Sequence, residues 1–248
     1  LPKAGNYYLN YNKIWIFDKL MGSKRINNLH AFSGIKYFTV MGKKTEYNYK
    51  KLGVGTKKNK TEIITLGSPS YENLLNLNDT FTNANKLLFL KKLGVQSKRR
   101  VFTFFLSLSS FTNLQIEELD QIFKCIVKEV KGVWLVVKLH PKTGIVDINK
   151  IKFLLENLKA NFTVINEFHG EIWNAKLVLS SECLVQKQST TGYLAFIYKI
   201  PVLSYNIYNT NYYDNLYDIL GGSIHSQNIE EFKKNLKLLS NTKILKKL

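Results

Sequence analysis

Three consecutive hydroxyl side chains, Ser189, Thr190 and Thr191, stand directly before Gly192 and an apolar segment. With the helix that this segment predicts, the hydroxyls fall on its N-terminus. Unpaired N–H groups and a partial positive charge there favour a phosphate. A helix cap needs one hydroxyl, and three exceed that need. Gly192 weakens the helix but lets the backbone approach a ligand closely. A second group is His140, which ends an apolar run and precedes Pro141. The proline keeps the chain extended and stops the strand. An imidazole so placed can donate to a phosphate oxygen or protonate a leaving group, and Lys138 and Lys142 add positive potential around it. The plainer alternative is a histidine satisfied by its own backbone. Weaker candidates are Ser180 and Ser181, read as the end of a strand Leu177–Leu179. Glu171, with Glu167, is a carboxylate that could take ribose hydroxyls. Gly67-Ser68 opens a turn that Pro69 keeps from continuing as strand.

Other chemistries are excluded by what the chain lacks. Cys125 and Cys183 have neither disulfide nor zinc spacing, and Cys183 has no histidine partner for nucleophilic work. The histidines show no ligand spacing, so no metal is expected. No Walker loop, GxGxxG or GxSxG occurs.

The elements that must hold these residues are legible from periodicity. Tyr37–Met41 and Glu62–Leu66 read as strands around a helix 43–52 that Gly53 stops. Residues 76–100 are polar and weakly periodic apart from 86–93, and read as a linker between an N-terminal segment, 1–75, and a C-terminal domain, 101–248. In that domain Val101–Leu106 is a strand, and Thr112 with Gln115 is a capping box for a helix closed by Gly132. Val133–Val137 reads as a central strand, 148–158 as a helix and Phe162–Ile165 as a strand. A short helix 170–176 then leads to the strand at Leu177–Leu179. Beyond the hydroxyls come a strand at Pro201–Tyr205 and a last helix capped by Asn228. Strands and helices alternating at intervals of roughly 30 residues predict an α/β fold, a Rossmann-like parallel sheet flanked by helices. Ligands of such sheets bind beyond the C-terminal strand ends.

The chain has 248 residues, 45% hydrophobic, and a formal charge of +18. That length can bury one large core or two modest ones. The charge suits an anionic partner, either a membrane surface or nucleic acid. The basic clusters Lys57, Lys58 and Lys60, Lys91 and Lys92, and Lys98, Arg99 and Arg100 read first as a solvated face, with attraction to a membrane surface as the competing reading. The basic residues do not interleave with aromatics, which argues against a single-strand nucleic-acid binder. Free cysteines and the lack of a secretory or membrane-spanning run predict a cytoplasmic protein, with peripheral contact at an anionic inner membrane face.

Taken together, Lys138-Leu139-His140-Pro141, Leu177-Val178-Leu179-Ser180-Ser181, Ser189-Thr190-Thr191 and the run from Ala195 to Leu203 resemble the HP and S-S/T motifs of GT-B-fold transferases that build bacterial surface polysaccharides. Sialyltransferases, polysialyltransferases, Kdo transferases and CDP-glycerol glycerophosphotransferases are among them. Gly67-Ser68-Pro69-Ser70-Tyr71 resembles the turn that closes the N-terminal domain of many such enzymes. The resemblance implies a GT-B C-terminal domain preceded by a remnant of the N-terminal, acceptor-side domain. It also implies a nucleotide-sugar donor, CMP- or CDP-linked, and no required cofactor, with a glycan or glycolipid as acceptor. His140, Ser189, Thr190 and Thr191 would contact the donor phosphate. The residue before Leu177 is often acidic in that family and is Lys176 here. The acceptor half is expected either from upstream sequence or from a partner that a shortened domain of this kind would need to be active. A sugar-nucleotide epimerase of the same fold is the competing enzyme reading, and a non-catalytic nucleotide- or nucleic-acid-binding module the competing non-enzyme.

Overall fold

The apolar runs of the second half of the chain assemble into one parallel sheet. In this computed structural model the described residues are 36–40, 43–51, 54, 61–66, 74–97, 99–187, 189–208 and 222–240. The chain divides into two units, Leu1–Glu72 and Asn73–Leu248. Gly67 and Ser68, with the rest of their turn, lie outside the described residues, as does Gly53.

The first unit holds β1 (Tyr37–Val40), α1 (Lys43–Lys51) and β2 (Glu62–Thr65). The strands pair in parallel from Tyr37 opposite Glu62 to Val40 opposite Thr65. Glu46 of α1 ties helix to sheet by accepting from Thr65 Oγ1 at 2.7 Å, and pairs along its own helix with Lys50 at 2.5 Å.

The second unit begins with α2 (Leu77–Thr80) and α3 (Asn83–Lys92). Both fall where the sequence suggested a linker, and they are packed parts of the unit. Thr82 caps α3 by accepting from Asn85 N at 3.3 Å, and Tyr198 Oη donates to Leu74 O at 2.8 Å. Of this stretch only 86–93 reads as periodic in the sequence, because leucines lie on the outer as well as the inner side of α3. There follow β3 (Arg100–Leu106), α4 (Asn113–Glu129), β4 (Val133–Leu139), α5 (Ile145–Asn157), β5 (Asn161–Ile165), α6 (Glu171–Leu179), β6 (Cys183–Gln186), α7 (Gly192–Ile197), β7 (Val202–Tyr205), β8 (Ile224–Ser226) and α8 (Ile229–Ser240). The capping box forms as spaced: Thr112 Oγ1 accepts from Gln115 N at 3.3 Å, and Thr112 N donates to Gln115 Oε1 at 2.9 Å. Gly132 reverses the chain between α4 and β4 at φ +71, a left-handed conformation that suits glycine. Asn228 caps α8, its Oδ1 accepting from Glu231 N at 2.9 Å.

Strand order is β5-β4-β3-β6-β7-β8, every pair parallel. On one face Phe102, Phe104, Leu135, Val137, Val185 and Leu203 share a core with Ile122, Phe123 and Ile126 of α4, Ile151 and Leu155 of α5, and Phe232 and Leu236 of α8. The opposite face carries Thr103, Trp134, Val136, Lys138, Leu184 and Gln186, alternating with the first set as a pleated strand requires. The helices α6 and α7 lie on that side, with α3 packed outside α6.

Leu177–Leu179 is the last turn of α6, not a strand; the strand is Cys183–Gln186. A short apolar run buried all round reads alike as either element. Here Leu177 and Val178 are both fully buried although they lie on different sides of the helix. The strand β8 has no apolar run to announce it.

Candidate active site

Chain order reverses between β3 and β6. From β3 the strands run outward through β4 to β5, and from β6 they run outward the other way. At such a reversal the loops leaving the two central strands turn to opposite faces and open a crevice at their C-terminal ends. Residues 107–112 leave β3, and Lys187 and residues 189–191 leave β6, on its two sides.

His140 ends β4, the next strand beyond β3, and sits half-buried on a tight turn. Thr143 N donates to His140 O at 2.9 Å, and Lys142 N donates to His140 Nδ1 at 3.1 Å. A ring nitrogen that accepts carries no proton, so the neutral imidazole bears its hydrogen on Nε2. The plainer reading of this histidine is thus met at one nitrogen only. Thr143 Oγ1 donates to Leu108 O at 3.0 Å and so ties the His140 turn to the β3 loop. Asp147 does the same from α5, accepting from Phe111 N at 3.2 Å.

Ser189, Thr190 and Thr191 stand on the far side of the crevice, but as a turn before α7 rather than in its first residues. Ser189 Oγ accepts from Thr191 N at 3.2 Å, which shapes the turn. Thr190 is exposed, and the Thr191 side chain makes no cap hydrogen bond. The strand β3 stands between β4 and β6, so His140 and this turn end strands about 10 Å apart. They frame the crevice from two sides and are not neighbours on adjacent strands.

Gly192 has a structural reason as well. A Cβ there would stand 2.6 Å from Gln186 Nε2 and 3.0 Å from its Oε1. Gln186 is 1% exposed and its buried Oε1 has no hydrogen-bond partner. Gly192→Ala is expected to cost about 1–3 kcal/mol in urea denaturation. Adding Gln186→Ala should recover part of that loss, and strictly additive effects would refute the contact.

A buried ion pair, for which no motif prepares the reader of the sequence, closes the crevice floor. Lys187 Nζ lies 2.7 Å from Glu118 Oε2, with side chains 11% and 2% exposed. Tyr208 N donates to Glu118 Oε1 at 3.2 Å. One carboxylate on α4 therefore holds the β6 loop and the segment after β7. The pair itself lines a cavity of about 20 Å³, together with Ser107, Phe111, Gln115 and Tyr205, that has room for one water. The available signal is a glutamate inside the apolar stripe of α4. The hydroxyls Ser107, Ser109 and Ser110 at the end of β3 are the other group that sequence reasoning missed, legible as a serine run after a buried strand.

The remaining candidates are placed differently. Lys138 is buried on the sheet face opposite the α4 core, its Nζ donating to Leu139 O at 2.9 Å. Burial lowers its pKa, opposed by the charge of Glu167. Ser180 and Ser181 are not at a strand's C-terminal end, because they follow α6 and precede β6, on the edge where strands begin. Ser180 Oγ donates to Lys176 O and Ser181 Oγ to Leu177 O, both at 2.7 Å. Thr103 then donates to Ser181 Oγ at 2.6 Å, since that hydroxyl's single proton is already used. On the same edge Arg100 grips Glu182, its Nε within 3.0 Å of both carboxylate oxygens. These residues bind the fold together. Glu171 is exposed in the first turn of α6, the helix that follows β5 in the chain. Cys183 is fully buried, which pushes its thiol pKa well up. His169 stacks on Trp173 at 3.8 Å.

No family model and no curated protein matches the sequence. Solved structures do match the fold. The Wall Teichoic Acid Polymerase TagF, as a histidine-to-alanine variant, is 16% identical with a TM-score of 0.58, over 89% of this chain and 53% of that one. A histidine-to-asparagine TagF variant soaked with CDPG is 16% identical with a TM-score of 0.57, over 89% and 51%. The UDP-GlcNAc 2-epimerase from Methanocaldococcus jannaschii is 19% identical with a TM-score of 0.58, over 83% and 55%. The chain spans about half the length of the structures it matches. The likeness shows a Rossmann-like fold of the GT-B kind.

Proposed function

We propose that the chain is the donor-binding half of a glycosyltransferase that uses a nucleotide-activated donor, CMP- or CDP-linked, with a surface glycan or glycolipid as acceptor. The observation that carries the reading is His140. It is fixed through Nδ1 on a turn at the rim of the β3/β6 crevice, with Nε2 left to give a hydrogen bond. Negative charge grows on the departing nucleotide phosphate as the bond to the sugar breaks, and a fixed N–H donor stabilises that charge more than the ground state. Thr190 and Thr191 would hold the same phosphate from the β6 side. Likeness to TagF soaked with CDPG supports a cytidine donor. Residues 1–75 are assigned to the end of an acceptor-side domain. No metal or cofactor enters this reading, and among the described residues no helix is long and apolar enough to cross a membrane.

Calorimetric titration with CMP, CDP, UDP and GDP tests the donor. A cytidine nucleotide is expected to bind most tightly, and Thr191→Val is expected to weaken it about tenfold. Absence of binding by all four nucleotides would end the proposal. A sugar-nucleotide epimerase is the second reading, favoured by the likeness to the M. jannaschii enzyme. Conversion of a nucleotide sugar with no acceptor present would select it.

A further inference from the structure

Among the described residues, the outer face of helix α3 is left uncovered. Its inner side is held by Phe89, whose ring meets Phe81 at 6.1 Å and Trp173 at 5.4 Å, edge to face. On the outer side Leu87 and Leu88 are 61% and 56% exposed. Lys91 and Lys92, both exposed, follow each leucine by four residues, one turn along the same face. A shallow groove continues from this face to Arg99. From Thr80 to Ile116 the sequence holds Lys86, Lys91, Lys92, Lys98, Arg99 and Arg100 and no Asp or Glu. Of these, Arg100 is bound by Glu182. A solvated helix surface ordinarily mixes both signs and hides its leucines.

We infer that the α3 face docks on an anionic lipid bilayer. Leu87 and Leu88 enter the headgroup boundary while Lys91, Lys92 and Arg99 stay at phosphate level, their apolar stems lying along the interface. Charge complementarity selects this occupant: the whole chain carries +18, and this stretch contains no acid to repel a negative surface. Nucleic acid would meet the basic groups but leave both leucines in water. Two leucines are a small anchor, so the contact is reversible and weakened by salt. The inference stands apart from the donor reading and would survive its loss.

Co-sedimentation with vesicles tests it. The protein should pellet with phosphatidylcholine vesicles containing about 30 mol% phosphatidylglycerol, and not with phosphatidylcholine alone. Leu87→Ser with Leu88→Ser should weaken that binding about tenfold, and Lys91→Glu with Lys92→Glu roughly 100-fold. Urea denaturation should match the unmodified chain in both, because all four side chains are exposed. Equal binding to both vesicle types would overturn the inference. So would leucine variants that bind as well as the original, or retention on a polynucleotide that outcompetes the anionic vesicles.

Discussion

Replacing His140 by alanine is expected to slow nucleotide release from the cytidine-linked donor about 100- to 1,000-fold in the complete enzyme. The loss should fall on kcat, because the hydrogen bond matters most when the phosphate carries its developing charge. Alanine, however, also removes the acceptor for Lys142 N–H and so loosens the turn. His140→Asn separates the two roles. The asparagine carbonyl can take over the Lys142 N–H in the same way, as asparagine commonly does in turns, but its short side chain has no donor where Nε2 stands. Asparagine is therefore expected to restore stability and leave activity as low as alanine does. Full activity in His140→Asn would make the histidine a turn former and nothing more.

The second large effect is on the crevice floor. Glu118→Ala is expected to destabilise the chain by about 3 kcal/mol or more, read as a fall in the urea midpoint. The substitution takes the carboxylate from the Lys187 ammonium in a site where that side chain is only 11% exposed, and it also deprives Tyr208 N–H of its acceptor. Glu118→Met with Lys187→Met removes both charges and should cost far less than the single change. The single variant should also weaken nucleotide binding, because Lys187 stands only two positions before Ser189 in the chain. A cost below about 1 kcal/mol for Glu118→Ala would mean that water already reaches the pair and that the floor is open.

Much of this architecture is legible in the amino-acid sequence. The Thr112/Gln115 box, the Asn228 cap, the buried stripe of α4 and the apolar runs of β3, β4 and β7 each depend on residues within a few positions of one another. Where sequence and fold disagree, the deciding contact is one that helix or strand periodicity does not encode. Leu177–Leu179 takes the helical state because α6 is enclosed on both sides. Gly192 answers to Gln186, which packs against it from the end of β6. The segment 76–100 is ordered through Phe81, Phe89 and Trp173, and no local pattern reports an aromatic contact across more than eighty residues.

The sequence by itself determined that the chain builds a parallel α/β sheet, that His140 ends a buried strand at a proline, and that three hydroxyls precede a short helix. Local propensity, capping and periodicity suffice for those, since each involves only neighbours along the chain. Tertiary structure alone decided that β3 lies between the two motifs, that the order reverses there to open a crevice, and that Glu118 and Lys187 close its floor. Strand order and the pairing of buried charges depend on which distant segments meet. The energy of those meetings is shared across the whole core and is written in no single stretch of the chain.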